Sequence, residues 1–216
     1  LKIISIYNTS YMYQPIKERC EALVKNFKEI PAERKELLEK IAAYISGKAA
    51  INEAINLVYV CTHNSRRSHL GQVWAAVAAA YYNISNVQTF SGGTEATAFN
   101  PNAIKAITAA GFTVKKTTET TNPVYEVYFA EDEFTTCFSK VYNHEINPAQ
   151  NFAAIMTCSD AEDNCPFIPG CDLRIGTTYN DPKAFDTTIL QDEKYTERSN
   201  QIAMECLYVF SKVVNN

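Results

Sequence analysis

From residue 53 onward, short apolar runs alternate with longer stretches in which apolar residues recur every three or four positions. The first pattern is typical of buried strands and the second of helices packed on a sheet. Predicted strands lie at 57–60, 87–90, 152–157 and 173–177, and predicted helices lie at 68–82, 102–110 and 197–213. This alternation indicates an α/β fold, which we expect to be an open parallel four-stranded sheet flanked by helices.

Two further helices are predicted ahead of this region. Residues 15–29 have helical spacing, and Pro31 opens a second helix over 32–45, with Gly47 just beyond its end as a stop signal. We expect a helical hairpin that covers a hydrophobic face, with a dimer contact as the alternative. The predicted division is an N-terminal helical extension at 1–52 and a main domain at 53–216.

The stretch 118–150 interrupts the strand–helix rhythm. β-branched and aromatic residues flank the acidic turn at 131–133, which predicts an inserted β-hairpin. Its aromatic side chains are expected in the core rather than against a ligand.

Composition narrows the classes of function. The chain has 216 residues, 46% of them hydrophobic and 20% charged, as in ordinary globular proteins. Its net charge of −4 argues against a nucleic-acid partner, and no apolar run is long enough for a membrane span. Seven cysteines without regular spacing make a poor disulfide framework, so we expect a reducing, cytoplasmic setting.

The most informative stretch begins at Cys61, directly after the first predicted strand, and ends at Ser68. A thiol, a compact polar loop and a helix N-terminus together form a cradle for an anion, to which Arg67 adds a planar fork of donors. These features favour the charged thiol, so we expect Cys61 to attack the central atom of a tetrahedral oxyanion. An inert buried cysteine near a surface arginine is the alternative.

The rest of the loop is expected to hold the oxyanion. Its predicted ligands are Thr62, His63, Asn64, Ser65, Arg66, Arg67 and Ser68. Ser68 can also donate a hydrogen bond to the Cys61 thiolate. Asn64 suits a left-handed backbone that turns amides inward, and Ser91 is expected to support it. His63 and His69 are expected to be loop or surface residues.

Other groups that carry chemistry follow later strands, and ligands of open α/β sheets bind at the carboxyl edge. Asp181 follows the last predicted strand and is the natural proton donor, although Asn-Asp-Pro alone is more often a turn. Cys158 and Cys165 lie seven residues apart, and a second thiol that reaches Cys61 can release a reduced product as a disulfide forms.

Metal binding is the alternative for this pair of thiols. We expect no metal, because the pair lacks Cys-x2-Cys spacing and has no neighbouring histidine. Cys171 is a third thiol nearby. The cysteines expected in the core are Cys20, Cys137 and Cys206.

Several motifs give the chain a family resemblance. CTHNSRRS resembles the phosphate-binding loop of low-molecular-weight protein tyrosine phosphatases and of the thioredoxin-coupled arsenate reductases with the same fold. SGGT and NPNAIKAITAAGF resemble the family's second strand and helix, and NDP its aspartate loop. MTCSDAEDNCPFIPG is similar to the redox segment that the arsenate reductases have and ordinary phosphatases lack. The resemblance covers roughly residues 56–214.

The resemblance implies a role for each matching residue. Cys61 is implied to be the nucleophile, Arg67 the oxyanion clamp, Ser68 the thiolate stabiliser and Asp181 the general acid. Cys158 is implied to attack the Cys61–arsenic adduct. The resemblance further implies that the substrate is arsenate and the product arsenite. Cys165 is implied to form a final disulfide with Cys158, which thioredoxin reduces. No tightly bound cofactor is implied, and phosphate or sulfate would fit the loop.

Departures from the family pattern are also visible. Arg66 stands where relatives often have a second loop cysteine, and Gln72 replaces an acidic residue that helps some relatives bind potassium. The leading hypothesis is an arsenate reductase, and the alternative is a protein tyrosine phosphatase in which water resolves a Cys61 phosphoenzyme. A noncatalytic oxyanion-binding module is disfavoured, because nucleophile, clamp and acid are all present.

Overall fold

A parallel sheet with helices on both sides organises the molecule, and the computed structural model describes residues 12–164 and 167–213. The helices are α1 (Gln14–Val24), α2 (Ala32–Ala50), α3 (Arg67–Tyr81), α4 (Pro101–Ala109), α5 (Ser159–Asn164) and α6 (Gln191–Val213). The strands are β1 (Ile55–Cys61), β2 (Val87–Gly93), β3 (Thr113–Lys116), β4 (Tyr125–Tyr128), β5 (Phe134–Cys137), β6 (Phe152–Met156) and β7 (Cys171–Gly176). Within the described ranges, no helix is long and apolar enough to cross a bilayer.

The main sheet has four parallel strands in the order β2-β1-β6-β7, which confirms the predicted fold class. Its register pairs Cys61 with Gly93 and Val60 with Met156. The strand ends that precede Cys158 and Asp181 therefore lie at the same edge of the sheet as Cys61. The predicted end of the second strand at residue 90 is wrong, because β2 continues through Ser91 to Gly93.

Side chains of β1 alternate between two buried clusters, as expected for a strand covered on both faces. Leu57 and Tyr59 belong to the larger cluster, which the long helices cover. Val58 and Val60 belong to the smaller cluster on the opposite face. Cys61 and Cys158 are both members of this smaller cluster. Both thiols thus belong to one buried cluster at the carboxyl edge of the sheet.

The two N-terminal helices pack against α6 and join the larger cluster. Ile16 of α1 and Leu38 and Ile45 of α2 are almost completely buried there, as a covering role requires. The expected end of the second helix is wrong, since α2 continues past Gly47 to Ala50. The domain boundary at residue 52 remains a prediction.

The predicted hairpin is present as β4 and β5, and it is part of a larger unit. β3 pairs antiparallel with β4, so the three strands form a second sheet in the order β3-β4-β5. No element was predicted at β3, because its four residues are mostly exposed and carry no apolar run. Likewise α6 begins at Gln191 instead of 197, because its first turns are polar.

Two helical glycines offer a matched test of packing. A methyl group on Gly71 of α3 would overlap the Tyr59 ring, whereas one on Gly47 of α2 would meet no atom within 4 Å. We expect Gly71→Ala to lower the free energy of unfolding by about 1–3 kcal/mol through overpacking. Gly47→Ala should raise it by about 1 kcal/mol, because alanine is the better helix former. Urea denaturation measures both, and a stabilised Gly71→Ala variant would contradict this packing.

Candidate active site

The loop between β1 and α3 holds the Cys61 thiol in a network of short contacts. Cys61 Sγ lies 3.1 Å from Ser68 Oγ. Ser68 Oγ accepts a hydrogen bond from Asn64 Nδ2 at 2.8 Å. Because that oxygen already accepts from Asn64, its own proton is free to point at the sulfur. This geometry fits the thiolate-stabilising role predicted for Ser68.

Asn64 has the left-handed backbone expected from the sequence, with φ of 42°. Its side chain is fully buried, and its Oδ1 accepts a hydrogen bond from the backbone N–H of Lys140 at 2.9 Å. The expectation that Ser91 supports Asn64 is not met, because Ser91 Oγ lies 3.1 Å from His69 Nδ1. The support for Asn64 comes instead from the segment that follows β5.

Carbonyl groups of the loop point outward and are bound by neighbouring segments. The Cys61 and Thr62 carbonyls accept from the N–H groups of Thr94 and Glu95 at 3.2 and 2.8 Å, and the Ser65 carbonyl accepts from Asn100 at 2.9 Å. In a trans peptide unit the N–H points opposite to the C=O. The N–H groups that follow these carbonyls therefore face the inside of the loop, where an oxyanion would sit.

Several residues predicted to bind the oxyanion use their side chains in the walls of the loop. Ser65 Oγ donates to the Ala98 carbonyl at 2.7 Å, and Thr62 Oγ1 donates to Asp160 Oδ2 at 2.7 Å. His63 is half-exposed and its Nε2 lies 3.6 Å from Glu95 Oε2. These residues therefore offer an anion their backbone groups rather than their side chains.

The expected surface position of His69 is wrong. Its ring is fully buried and stacks against Phe99, with 4.2 Å between ring centroids. Burial lowers the pKa of His69 well below its usual value, and the nearby Lys140 ammonium acts in the same direction. The imidazole is consequently neutral and serves the packing of α3 against β2.

Arg67 and Asp181 meet directly at the mouth of the loop. Arg67 Nη2 donates to Asp181 Oδ2 at 2.7 Å, and Nη1 donates to the Tyr179 carbonyl at 2.9 Å. The other carboxylate oxygen of Asp181 accepts from the Lys183 N–H at 3.0 Å. The predicted clamp and the predicted acid are thus brought together, and an oxyanion and Asp181 would compete for the same guanidinium.

Arg66 turns away from the loop interior toward α6. Its Nε donates to Tyr195 Oη at 2.8 Å, and its Nη2 lies 3.5 Å from Asp186 Oδ2. Tyr195 in turn donates to Asp186 at 2.7 Å. Arg66 Nε is also 3.9 Å from Asp181 Oδ1, so the candidate acid lies beside two guanidinium groups.

Cys158 lies against the wall of the same loop. The Thr157 N–H donates to the Val60 carbonyl at 2.7 Å, which fixes the end of β6 beside the end of β1. Cys158 Sγ is 3.4 Å from Thr62 Oγ1, and the Ala161 N–H donates to that sulfur at 3.4 Å. Cys158 is fully buried. Cys165 lies outside the described residues.

Other cysteines have environments that differ from those of a reactive thiol. Burial raises the pKa values of Cys20, Cys137 and Cys206 to about 12, as expected for core cysteines. Burial also raises the pKa of Cys171, which is only partly covered on β7. Among the residues that the structure describes, no three His, Cys, Asp or Glu side chains cluster as a metal site would require.

Curated proteins with a similar sequence are arsenate reductases. The enzyme of Bacillus subtilis (strain 168) is 27% identical over 140 residues, which cover 64% of this chain and 81% of that protein. Arsenate reductase 2 of Staphylococcus haemolyticus (strain JCSC1435) is 26% identical over 113 residues, or 52% of this chain and 67% of that protein. No protein-family profile matches the chain.

The sequence similarity to arsenate reductases is compatible with the parallel sheet and the cysteine loop that the structure shows. The similarity of this chain to arsenate reductases is at the level of 26–27% sequence identity. Among solved structures, an arsenate reductase in the phosphate-binding state has a TM-score of 0.49 at 17% identity, covering 74% of this chain and 99% of that chain. A low-molecular-weight phosphotyrosine phosphatase from Vibrio cholerae O395 has a TM-score of 0.48 at 14% identity, covering 73% and 95%.

Several residues of this site were not predicted from the sequence. Lys140, Tyr179 and Tyr195 touch the loop or its arginines, yet they come from an insertion, a strand end and a polar helix start. No local motif marks them. Gln72, singled out for its departure from relatives, donates to Thr135 Oγ1 at 2.7 Å and so ties α3 to β5.

Competition between Asp181 and an oxyanion for Arg67 can be measured. The Asp181→Asn variant keeps the cap on the Lys183 N–H but removes the carboxylate charge from the Arg67 guanidinium. We expect inorganic phosphate to bind this variant about tenfold more tightly by calorimetry, the scale of one charge-assisted hydrogen bond. Asp192→Asn is the matched control, because it removes the same charge from an exposed pair with Lys105. Unchanged or weaker phosphate binding by Asp181→Asn would contradict the competition.

Proposed function

We propose that the protein reduces arsenate to arsenite, with Cys61 as nucleophile and with Cys158 and Cys165 passing a disulfide to thioredoxin. The observation that carries the proposal is the 3.4 Å contact between Cys158 Sγ and the hydroxyl of Thr62, the residue next to the nucleophile. Hydrolysis by a phosphatase needs no second thiol at that position. The curated relatives with arsenate reductase activity support the same choice.

In the first step the Cys61 thiolate attacks arsenic and forms a sulfur–arsenic bond. The bond from arsenic to one hydroxyl group of the arsenate breaks, and that hydroxyl takes a proton from Asp181 and departs as water. Inward-facing loop N–H groups and Arg67 hold the remaining oxygens and offset their charge through the displacement. The location of Asp181 at the mouth of the loop supports this role, and its contact with Arg67 gives way when the oxyanion binds there.

In the second step the Cys158 thiolate attacks the Cys61 sulfur. The new sulfur–sulfur bond forms as the sulfur–arsenic bond breaks, and its electron pair stays on arsenic, which is reduced from As(V) to As(III). Arsenite then leaves. The position of both cysteines in one buried cluster supports this exchange.

In the third step Cys165 attacks Cys158 and releases the Cys61 thiolate, and a thioredoxin dithiol reduces the Cys158–Cys165 disulfide. Cys158 is fully buried, so thioredoxin cannot attack its sulfur unless the surrounding residues open. The relay requires reduced thiols, so we expect the reaction to take place in the cytoplasm.

The Cys158→Ser variant tests the relay. It should lose essentially all arsenate turnover with thioredoxin, because no thiol remains to break the sulfur–arsenic bond, whereas any aryl phosphate hydrolysis should continue near the wild-type rate. Cys171→Ser is the matched control, since that thiol is close in sequence but is assigned no step. Coupled reduction assays and aryl phosphate assays on all three proteins measure the difference.

The two assays distinguish the proposed reductase from a phosphatase and from a noncatalytic protein. Arsenate reduction by Cys158→Ser at the wild-type rate would contradict the relay. Rapid aryl phosphate hydrolysis by the wild type, together with no thioredoxin-dependent arsenate reduction, would favour a protein tyrosine phosphatase. Absence of both activities in a reduced sample would favour a noncatalytic oxyanion-binding protein.

The order of the thiols is tested by trapping disulfides. After exposure to arsenate without thioredoxin, the wild type should contain a Cys158–Cys165 disulfide, and Cys165→Ser should stop at Cys61–Cys158. Peptide mapping by mass spectrometry distinguishes the two. A disulfide between Cys61 and Cys171 in either protein would contradict the proposed order.

A further inference from the structure

We infer that Arg34, on the N-terminal helix α2, is a positioning residue for the active site, because it clamps Tyr179 and through Tyr179 orients Arg67 and Asp181. The inference rests on the proposed function for the identity of the reaction. It gives the helical extension a part in catalysis beyond covering a hydrophobic face. No local motif of the chain marks Arg34 for this role.

Arg34 lies in the first turn of α2 and reaches into the protein. Its Nε and Nη2 donate to Glu205 Oε2 at 3.0 and 2.7 Å, and Nη2 also donates to the Thr177 carbonyl at 3.1 Å. The side chains of Arg34 and Glu205 are 15% and 4% exposed, so water screens their charges weakly. The guanidinium group lies over the Tyr179 ring, 4.8 Å from its centroid.

Tyr179 is held from four directions by groups far apart in the sequence. Its ring lies under Arg34, and its hydroxyl donates to Glu205 Oε2 at 2.7 Å. Its N–H donates to the Thr157 carbonyl at 3.0 Å, and its carbonyl accepts from Arg67 Nη1 at 2.9 Å. Burial and the neighbouring Glu205 carboxylate raise the pKa of Tyr179 well above its usual value, so the hydroxyl keeps the proton that it donates.

Only Tyr179 lies between Arg34 and the two groups of the active site, Arg67 and Asp181. Asp181 follows Tyr179 by two residues and accepts from the same guanidinium that binds the Tyr179 carbonyl. A shift of Tyr179 would move one acceptor of Arg67 and the backbone that carries Asp181 together. Displacements of about 1 Å at a reacting group can cost on the order of a hundredfold in rate. Arg34 therefore acts through Tyr179 without touching substrate.

Variants of Arg34 distinguish a residue that positions Tyr179 from one that only packs α2 against the core. Arg34→Met removes the fork and the charge over Tyr179, and Arg34→Lys keeps the charge with fewer donors. Arg19→Met is the matched control, because Arg19 lies on α1 and also reaches α6, where Nη1 donates to Asn200 Oδ1 at 2.8 Å without contacting Tyr179. If Arg34→Met fails to fold, Arg34→Met with Glu205→Gln removes both buried charges together.

Hydrogen–deuterium exchange gives a readout that does not depend on activity. In the Arg34→Met protein, the peptide that spans 177–186 should exchange faster than in the wild type, because Tyr179 loses one of its restraints. Arg19→Met should leave this peptide unchanged. Unchanged exchange in the Arg34→Met protein, or an equal increase in the Arg19→Met protein, would overturn the inference.

Kinetics then tests whether the clamp matters for proton transfer. We expect Arg34→Met to lower kcat by about tenfold or more, for arsenate reduction and for any hydrolysis of phenyl phosphate. The loss should be smaller with p-nitrophenyl phosphate, because p-nitrophenolate departs with less help from an acid. Arg34→Lys should recover part of the rate. Equal losses for both esters, or a kcat within about twofold of the wild type, would overturn the inference.

The same assays distinguish failure of the reductase assignment from failure of the role inferred for Arg34. A wild type that hydrolyses esters but does not reduce arsenate would contradict the reductase assignment, and the ester series would still test Arg34. A wild type that reduces arsenate, with Arg34→Met equally active, would leave the reductase assignment standing and overturn the role of Arg34. A wild type with neither activity would contradict both, because no proton transfer would remain for Arg34 to support.

Discussion

The left-handed backbone at Asn64 is the constraint on which the active-site loop depends. A non-glycine residue adopts this conformation only when its surroundings hold it there, and asparagine does so more readily than most. Here the Lys140 N–H and Ser68 Oγ bind the two ends of the Asn64 amide. With that turn fixed, loop carbonyls reach outward to neighbouring segments and the following N–H groups face inward. The same amide orients Ser68 toward Cys61, so cradle and nucleophile are set by one side chain.

The sheet adds a second constraint, because it decides which groups can meet. Parallel strands end at one edge, and Cys61 and Cys158, which follow neighbouring strands at that edge, belong to the same buried cluster. Asp181 reaches the same edge by a different route, since its segment crosses from the end of β7 to Arg67. A thiol on one side of the loop and a carboxylate at its mouth suit a displacement at a bound oxyanion followed by a displacement at the Cys61 sulfur. Hydrolysis would use only the carboxylate.

What could be predicted from the sequence was local. The strand before Cys61, the helix after it and the left-handed Asn64 follow from short patterns, because neighbours in the chain decide them. What could not be predicted depends on contacts across more than a hundred positions, such as Arg67 with Tyr179. His69 shows the same limit, since its burial against Phe99 is decided by packing and not by its place beside a polar loop. The strand β3 was missed because pairing with β4, rather than its own composition, makes it a strand.

The buried pair of Arg34 and Glu205 is hard to explain as a source of stability. Removing two charges from water costs several kcal/mol per ion, and apolar residues of similar size often serve a core equally well. An apolar pair at these positions would, however, offer no acceptor to the Tyr179 hydroxyl and no donor to the Thr177 carbonyl. The ion pair is therefore better explained by the orientation that it imposes than by the energy that it contributes. Since that orientation is passed to the backbone beside Asp181 and Arg67, our inference makes helix α2 a supporting part of the active site.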